Sequence, residues 1–190
     1  MRKNFGAKEW LYPMPVFIIG TYDENGNPDV MNAAWGSIGD TAQIFLCLAP
    51  DHKTVKNLLA KKEFTVSLGT KSQVKACDYA GLVSGNTEPD KVKKAGFHAV
   101  KAENVDAPIF EELPFALECK FTSYDEKSGH LFGEIVNVSA DEKILTDSKI
   151  DYKKLEPVTY DPINRLYITL GEPAGHAFKD GLELKNQAES

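Results

Sequence analysis

Hydrophobic and polar positions alternate with period two along several segments of the chain, a spacing that predicts strands joined by short turns. The run VFIIGTY, Val16 to Tyr22, is entered through Pro13 and Pro15 and is rich in β-branched and aromatic residues, so it reads as a strand. Asp23-Glu24-Asn25-Gly26-Asn27-Pro28-Asp29 follows, and its Asn25-Gly26 pair is a hairpin signal. A second strand, VMNAAWGSI from Val30 to Ile38, is therefore expected to run back antiparallel. Its residues Asn32, Ala33, Ala34, Gly36 and Ser37 are small, and a strand gains little from Ala and Gly unless something must approach its backbone closely. QIFLCLA, Gln43 to Ala49, predicts a third strand that stops at Pro50.

The period then lengthens. Val55, Leu58 and Leu59 stand at i, i+3 and i+4, which predicts a short amphipathic helix with Thr54 as its N-cap. EFTVSL (63–68) returns to strand. Ser72 caps an expected helix through Tyr79, a Gly81…Ser84-Gly85 loop follows, and Pro89-Asp90 opens a further short helix that Gly96 ends. Beyond Ala107-Pro108, Phe115, Leu117, Cys119 and Phe121 alternate with Ala116, Glu118, Lys120 and Thr122, as in a strand with one wet face. A turn at Lys127-Ser128-Gly129 leads to HLFGEIVNVS (130–139), and RLYITL (165–170) is the last expected strand. The tail LELKNQAES is expected to be loosely held. Six or seven strands in hairpins, with helices confined to about 54–96, predict a mainly β fold. Turns too short for crossovers make the pairing antiparallel. Closure into a barrel removes the exposed edges.

Composition narrows the class. With 190 residues, one domain spanning 1–190 is expected, its tail at 171–190. Hydrophobic residues at 42% and charged residues at 26% suit a globular chain. A net charge of −6 gives no reason to expect nucleic acid or an anionic membrane as partner. Cys47, Cys77 and Cys119 are odd in number and far apart, which argues against a disulfide framework or zinc site and for buried thiols in a reducing compartment. The opening MRKNFGAKEW lacks an apolar leader core, and no apolar run reaches membrane-spanning length, so a cytoplasmic location is expected.

Motifs for several chemistries are missing: no G-x-S-x-G elbow, H-E-x-x-H pair, P-loop or dinucleotide G-x-G-x-x-G turn occurs. An enzyme whose cofactor carries the reactivity needs none of them. His52-Lys53-Thr54 at a helix start brings free backbone N–H groups, a hydroxyl and a cation together, a pattern suited to an anion. The same residues also suit a plain cap with a solvated lysine. Ser84-Gly85-Asn86, followed by Asp90 and Lys91, offers a second anion loop or an ordinary surface turn. His130 opens a strand, where it either faces a redox group or is structural. Trp35, Phe45 and Tyr79 either stack on a planar ligand or belong to the core.

The order and spacing of these segments resemble the flavin reductase-like family, an FMN-binding split barrel, and within it the flavoredoxin branch. The resemblance runs over nearly the whole chain. It is carried by PMPVFIIGTYDENGNPDVMNAAWGSIGD, the L-A-P-D-H-K-T-V-K-N-L run, KKEFTVSL, C-D-Y-A-G-L-V-S-G…D-K-V, LECKF, GHLFGEIVNV and Y-I-T-L-G-E-P-A-G-H-A-F. It implies an antiparallel Greek-key split β-barrel holding noncovalent FMN at a homodimer interface. By similarity, Asn32, Ala33, Ala34 and Trp35 would follow the isoalloxazine and upper ribityl chain. His52, Lys53, Thr54, Ser84, Gly85 and Lys91 would surround the phosphate. His130 would stand beside the flavin as the catalytic or redox-tuning residue, and the segment around Tyr160 would come from the partner subunit. Relatives carry Arg where this chain has His52 or Lys53, which shifts weight to Lys91 as the phosphate ligand. The implied activity is FMN-dependent electron transfer from NADH, NADPH or a redox protein. A non-catalytic FMN carrier and a related haem-binding barrel are the alternatives.

Overall fold

The computed structural model describes residues 1–187. A two-residue strand β1 (Met14–Pro15) precedes β2 (Phe17–Tyr22), β3 (Pro28–Ala33), β4 (Gly36–Asp40) and β5 (Gln43–Cys47). Helix α1 (Lys53–Lys61) leads into β6 (Glu63–Leu68); a 3-10 turn then runs into α2 (Val74–Leu82), and α3 (Lys91–Ala95) follows a loop. The hairpin of β7 (Ala99–Lys101) and β8 (Pro108–Phe110) comes before the two longest strands, β9 (Phe115–Asp125) and β10 (His130–Ala140). The rest comprises β11 (Leu145–Thr146), β12 (Lys149–Ile150), α4 (Tyr152–Leu155), β13 (Val158–Asp161), β14 (Leu166–Thr169) and α5 (Leu182–Gln187). Part of the segment read as a loose tail is thus helical, and its last three residues, 188–190, lie outside the described ones.

Seven strands form one antiparallel sheet in the order β3-β2-β6-β9-β10-β5-β4. Its two edge strands are consecutive in sequence, with only Ala34 and Trp35 between them. Three peptide steps reach at most about 11 Å, whereas seven flat strands would spread over about 29 Å. The sheet must therefore curl until its edges approach, and it forms the half-barrel of a mainly β split-barrel fold. The expected second strand is corrected here. Val30–Ile38 is not continuous; it is broken at Ala34-Trp35, where the chain leaves one edge and begins the other. The turn before β3 also differs from a two-residue hairpin. Gly26, at φ 81°, donates its N–H to the Asp23 carbonyl, and the Asp23 carboxylate accepts from the Asn25 and Asn27 amides. This carboxylate stabilises a loop of five residues.

Strand alternation explains the core. Phe17 and Ile19 on β2 join Phe64, Val66, Leu117, Cys119 and Leu131 inside the barrel, where Val55 and Leu58 of α1 also pack. Ile18 points the other way, into a second cluster with Val30, Cys77, Ala80, Val92 and Phe110 beneath α2 and α3. A strand buried on both faces has no reason to alternate, which accounts for the uninterrupted VFII run. On β9, Phe115, Leu117, Cys119 and Phe121 do share the inward face. The opposite face is wet only in part, because Ala116 and Glu118 are buried there. Glu118 accepts from the Asn104 amide at 2.7 Å and from Asn137 Nδ2 at 2.7 Å, so the 102–107 loop covers that half of the strand. Cys77 and Cys119 are free buried thiols, pushed up to about 11 and about 12 by desolvation, while Cys47 is half-buried.

Candidate functional site

Helix α1 starts without a side-chain cap. His52 holds the N-cap position in extended backbone, and Thr54, the expected cap, lies inside the first turn. Its hydroxyl is drawn instead to β3, where it donates to Asp29 Oδ2 at 2.8 Å. The N–H groups of Lys53 and Thr54 therefore have no hydrogen-bond partner among the described residues. The expected stripe of Val55, Leu58 and Leu59 shifts for a related reason. Leu59 is exposed, and Asn57 takes the inward place by donating to Thr21 at 3.1 Å.

The loop after α2 closes over this helix end. Asn86 Nδ2 donates to the Asp51 carbonyl at 3.0 Å, and Asn86 Oδ1 accepts from Lys56 Nζ at 3.3 Å. The Ser84 hydroxyl accepts the Asn86 N–H, while the N–H groups of Ser84 and Gly85 have no partner among the described residues. A cleft of about 240 Å³ lies between the two loops. It brings together seven of the residues singled out in the sequence: Asn32, His52, Lys53, Thr54, Ser84, Gly85 and Lys91. The sequence reading missed Asp29, Met31 and the Ala80–Val83 stretch, which also line it.

The electrostatics of the cleft are unusual for a chain this acidic. Lys91, at the start of α3, is only 4% exposed. Burial pulls its ammonium below the ordinary lysine range; Asp29 opposes that shift and Lys53 adds to it. Lys53 lies 3.8 Å from Asp23. His52 Nδ1 is buried with no hydrogen-bond partner among the described residues. The residues lining this one small volume thus carry two cations, four free backbone donors and one orphaned ring nitrogen. Such a set suits a compact oxyanion.

A second cleft of about 370 Å³ shares Asn32, Gly81 and Leu82 with the first. Ala34 and Tyr160 line it, together with Asp78, Arg165 and Tyr167. Tyr167 donates to Asp78 at 2.9 Å, and its hydroxyl titrates well above the usual tyrosine range through burial and then this carboxylate contact. Asn32 Nδ2 donates to the Cys77 carbonyl at 2.9 Å, which fixes its amide at the seam of the two clefts. Ala33, Trp35 and His130 lie outside both clefts. Ala33 turns into the barrel core, opposite to Asn32. Trp35 is exposed at the break between β3 and β4. His130 is exposed at the start of β10, edge-on to Phe45 with ring centroids 5.2 Å apart, and lines neither cleft. Tyr160 reaches the second cleft from β13 of the same chain.

Gly85 is required by this packing. A Cβ there would collide with Asp29 Oδ1 and lie 2.9 Å from Lys53 Cδ, so α1, β3 and the loop meet with no room for a side chain. Gly85→Ala is expected to lower stability by about 1–3 kcal/mol, as overpacking does. Urea unfolding checks this, and an unchanged midpoint would show that the loop can yield.

The chain belongs to the flavin reductase like domain family, whose model matches residues 10–159. Among solved structures it is similar to the flavoredoxin of Desulfovibrio vulgaris (Miyazaki F), at 36% identity over 95% of this chain and 100% of that one, with a TM-score of 0.91. It is also similar to the flavoredoxin from Methanosarcina acetivorans, at 28% identity over 96% and 100% of the two chains and a TM-score of 0.86. An FMN-binding domain of a flavin reductase-like enzyme from Shewanella baltica OS155 shares the fold, at 17% identity over 85% and 88% of the chains and a TM-score of 0.78. An uncharacterized protein of Aeropyrum pernix is 27% identical over 122 residues, which are 63% of this chain and 46% of that protein. The chain thus spans about half the length of that curated relative.

Proposed function

We propose that this chain binds FMN noncovalently along the two connected clefts and works as an oxidoreductase of the flavin reductase or flavoredoxin type. The observation that carries the reading is the first cleft: two lysines and the free amides of two loops converge on a space suited to a phosphate. A flavin phosphate carries about 1.5–2 negative charges near neutral pH. Lys91 and Lys53 would meet that charge, the amides of Lys53, Thr54, Ser84 and Gly85 would donate to its oxygens, and the orphaned His52 nitrogen offers a further polar contact. From there the ribityl chain would pass Asn32 and Gly81 into the second cleft, beside Ala34 and Tyr160. The side chains of β3 alternate, so Asn32 would serve the ligand while Ala33 supports the barrel behind it. Bound flavin would supply the one- and two-electron chemistry, and no side-chain nucleophile is required.

The donor is proposed to be NADH or NADPH. Steady-state oxidation of either nucleotide, with free FMN as acceptor, is the test; absence of turnover with both, in a protein that holds flavin, would contradict it. Similarity to two flavoredoxins supports a second reading, an FMN carrier reduced by a protein partner. That outcome would favour it. A homodimer, implied by the family resemblance, would cover exposed apolar side chains such as Trp35, Ile38 and Val138. Sedimentation at the mass of one chain would contradict it. A cytoplasmic location is proposed on the two free buried thiols. Among the described residues, no helix is long and apolar enough to cross a membrane.

A further inference from the structure

We propose that Asp29 acts as a charge brake on the phosphate end of the first cleft, limiting how strongly this chain prefers a phosphorylated flavin over the same flavin without its phosphate. The inference rests on the FMN reading above and adds a residue that works against binding. Asp29 lies on β3, is only 2% exposed and lines the cleft. Its carboxylate holds the Thr54 hydroxyl at 2.8 Å. That hydroxyl has a single proton, so while it donates to Asp29 it has none for a ligand. The same carboxylate attracts Lys91, the buried cation of the site.

Counting the charged groups gives the consequence. Lys53 and Lys91 contribute two positive charges; Asp29 and Asp23, the latter 3.8 Å from Lys53, contribute two negative ones. Each lysine thus already has a carboxylate near it before any ligand arrives, Asp29 inside the cleft and Asp23 beside it. This arrangement lets a lysine stay buried in the unliganded protein, because a buried charge without a partner is costly. It also means that an entering phosphate meets a carboxylate that cannot retreat. Gly85 is packed against Asp29 Oδ1, and Thr54 and Lys53 flank it. Like charges this close in a partly desolvated site repel strongly. The backbone donors and lysines still favour the phosphate, but the carboxylate offsets part of their contribution. The expected product is a flavin that exchanges rather than one held for the life of the protein.

The test is fluorescence titration of the full chain with FMN and with riboflavin, comparing wild type and Asp29→Asn. Riboflavin has no phosphate, so it reports on the ring and ribityl contacts alone. Removing one charge should tighten FMN binding by about tenfold or more and leave riboflavin affinity within about twofold. Unchanged or weaker FMN binding with riboflavin unaffected would overturn the proposal, since Asp29 would then only organise the lysines. Equal changes for both flavins would also overturn it, as a structural effect. Asp29→Ser, uncharged and smaller, repeats the comparison if the asparagine variant does not fold. A wild type that binds neither flavin would defeat the FMN reading itself. In that case inorganic phosphate serves as the probe in a thermal-shift assay: a larger stabilisation of Asp29→Asn than of wild type supports the brake, and equal shifts overturn it.

Discussion

Replacing Lys91 with alanine should weaken FMN binding by about 1.5–3 kcal/mol, the range for a hydrogen bond to a charged group, or roughly tenfold to a hundredfold in Kd. Several features place this loss at the upper end. The ammonium sits on a side chain that is 4% exposed, so it is poorly screened and water does not replace it readily. Its removal also leaves Asp29 facing the ligand with less compensation, because the Asp29 carboxylate is near enough to favour the Lys91 ammonium. Lys53 should matter less, since it is shared with Asp23 and is more accessible. Flavin-fluorescence titration measures the effect, and riboflavin again separates phosphate contacts from the rest. Equal affinities of Lys91→Ala and wild type for FMN would remove Lys91 from the site.

Phe64→Ala should lower the unfolding free energy by about 3–5 kcal/mol, the usual cost of emptying a large aromatic site in a core. That is a large share of the about 5–15 kcal/mol that holds an ordinary domain folded. Phe64 is fully buried at the centre of the barrel cluster. It stands against Gly133 of β10, where even a Cβ would come within 2.5 Å of the Phe64 ring. The ring is therefore fitted into a space made by a glycine across the curled sheet, and a smaller side chain would leave a cavity that β10 cannot easily fill. Urea unfolding followed by far-UV circular dichroism reads the change. A loss below about 1 kcal/mol would mean that the barrel core collapses around the gap, contrary to the packing described.

The parts of this fold legible in the sequence are those set by local chemistry. EFTVSL is β6 to the residue, and Gly96 ends α3 in the left-handed conformation expected of a C-terminal glycine, while Asp90 stands at its N-terminus without a side-chain cap bond. The residues of the first cleft were legible only in part: the Ser84-Gly85 turn stands out in the sequence, whereas Thr54 reads as a helix cap and the free N–H groups of Lys53 and Thr54 show only in the structure. What was not legible depends on tertiary neighbours. Nothing local distinguishes Asp29 from a solvated residue at a hairpin leg; only the approach of α1, α3 and the Ser84 loop buries it. Asn86 reads as one more turn residue until its amide is seen tying the two loops of the first cleft together. The β1 and β13 pairing leaves no mark in the sequence, because two and four residues beside prolines carry too little periodicity. The break at Ala34-Trp35 follows from sheet closure, which no window of nine residues can show.

The most direct test of the FMN reading is the visible spectrum of the purified full-length protein, recorded after adding FMN and removing the excess by gel filtration, then again after anaerobic addition of NADH. One flavin per chain, with its long-wavelength band bleached by NADH, is the expected result. A colourless protein that also fails to quench FMN fluorescence at any tested concentration would contradict it.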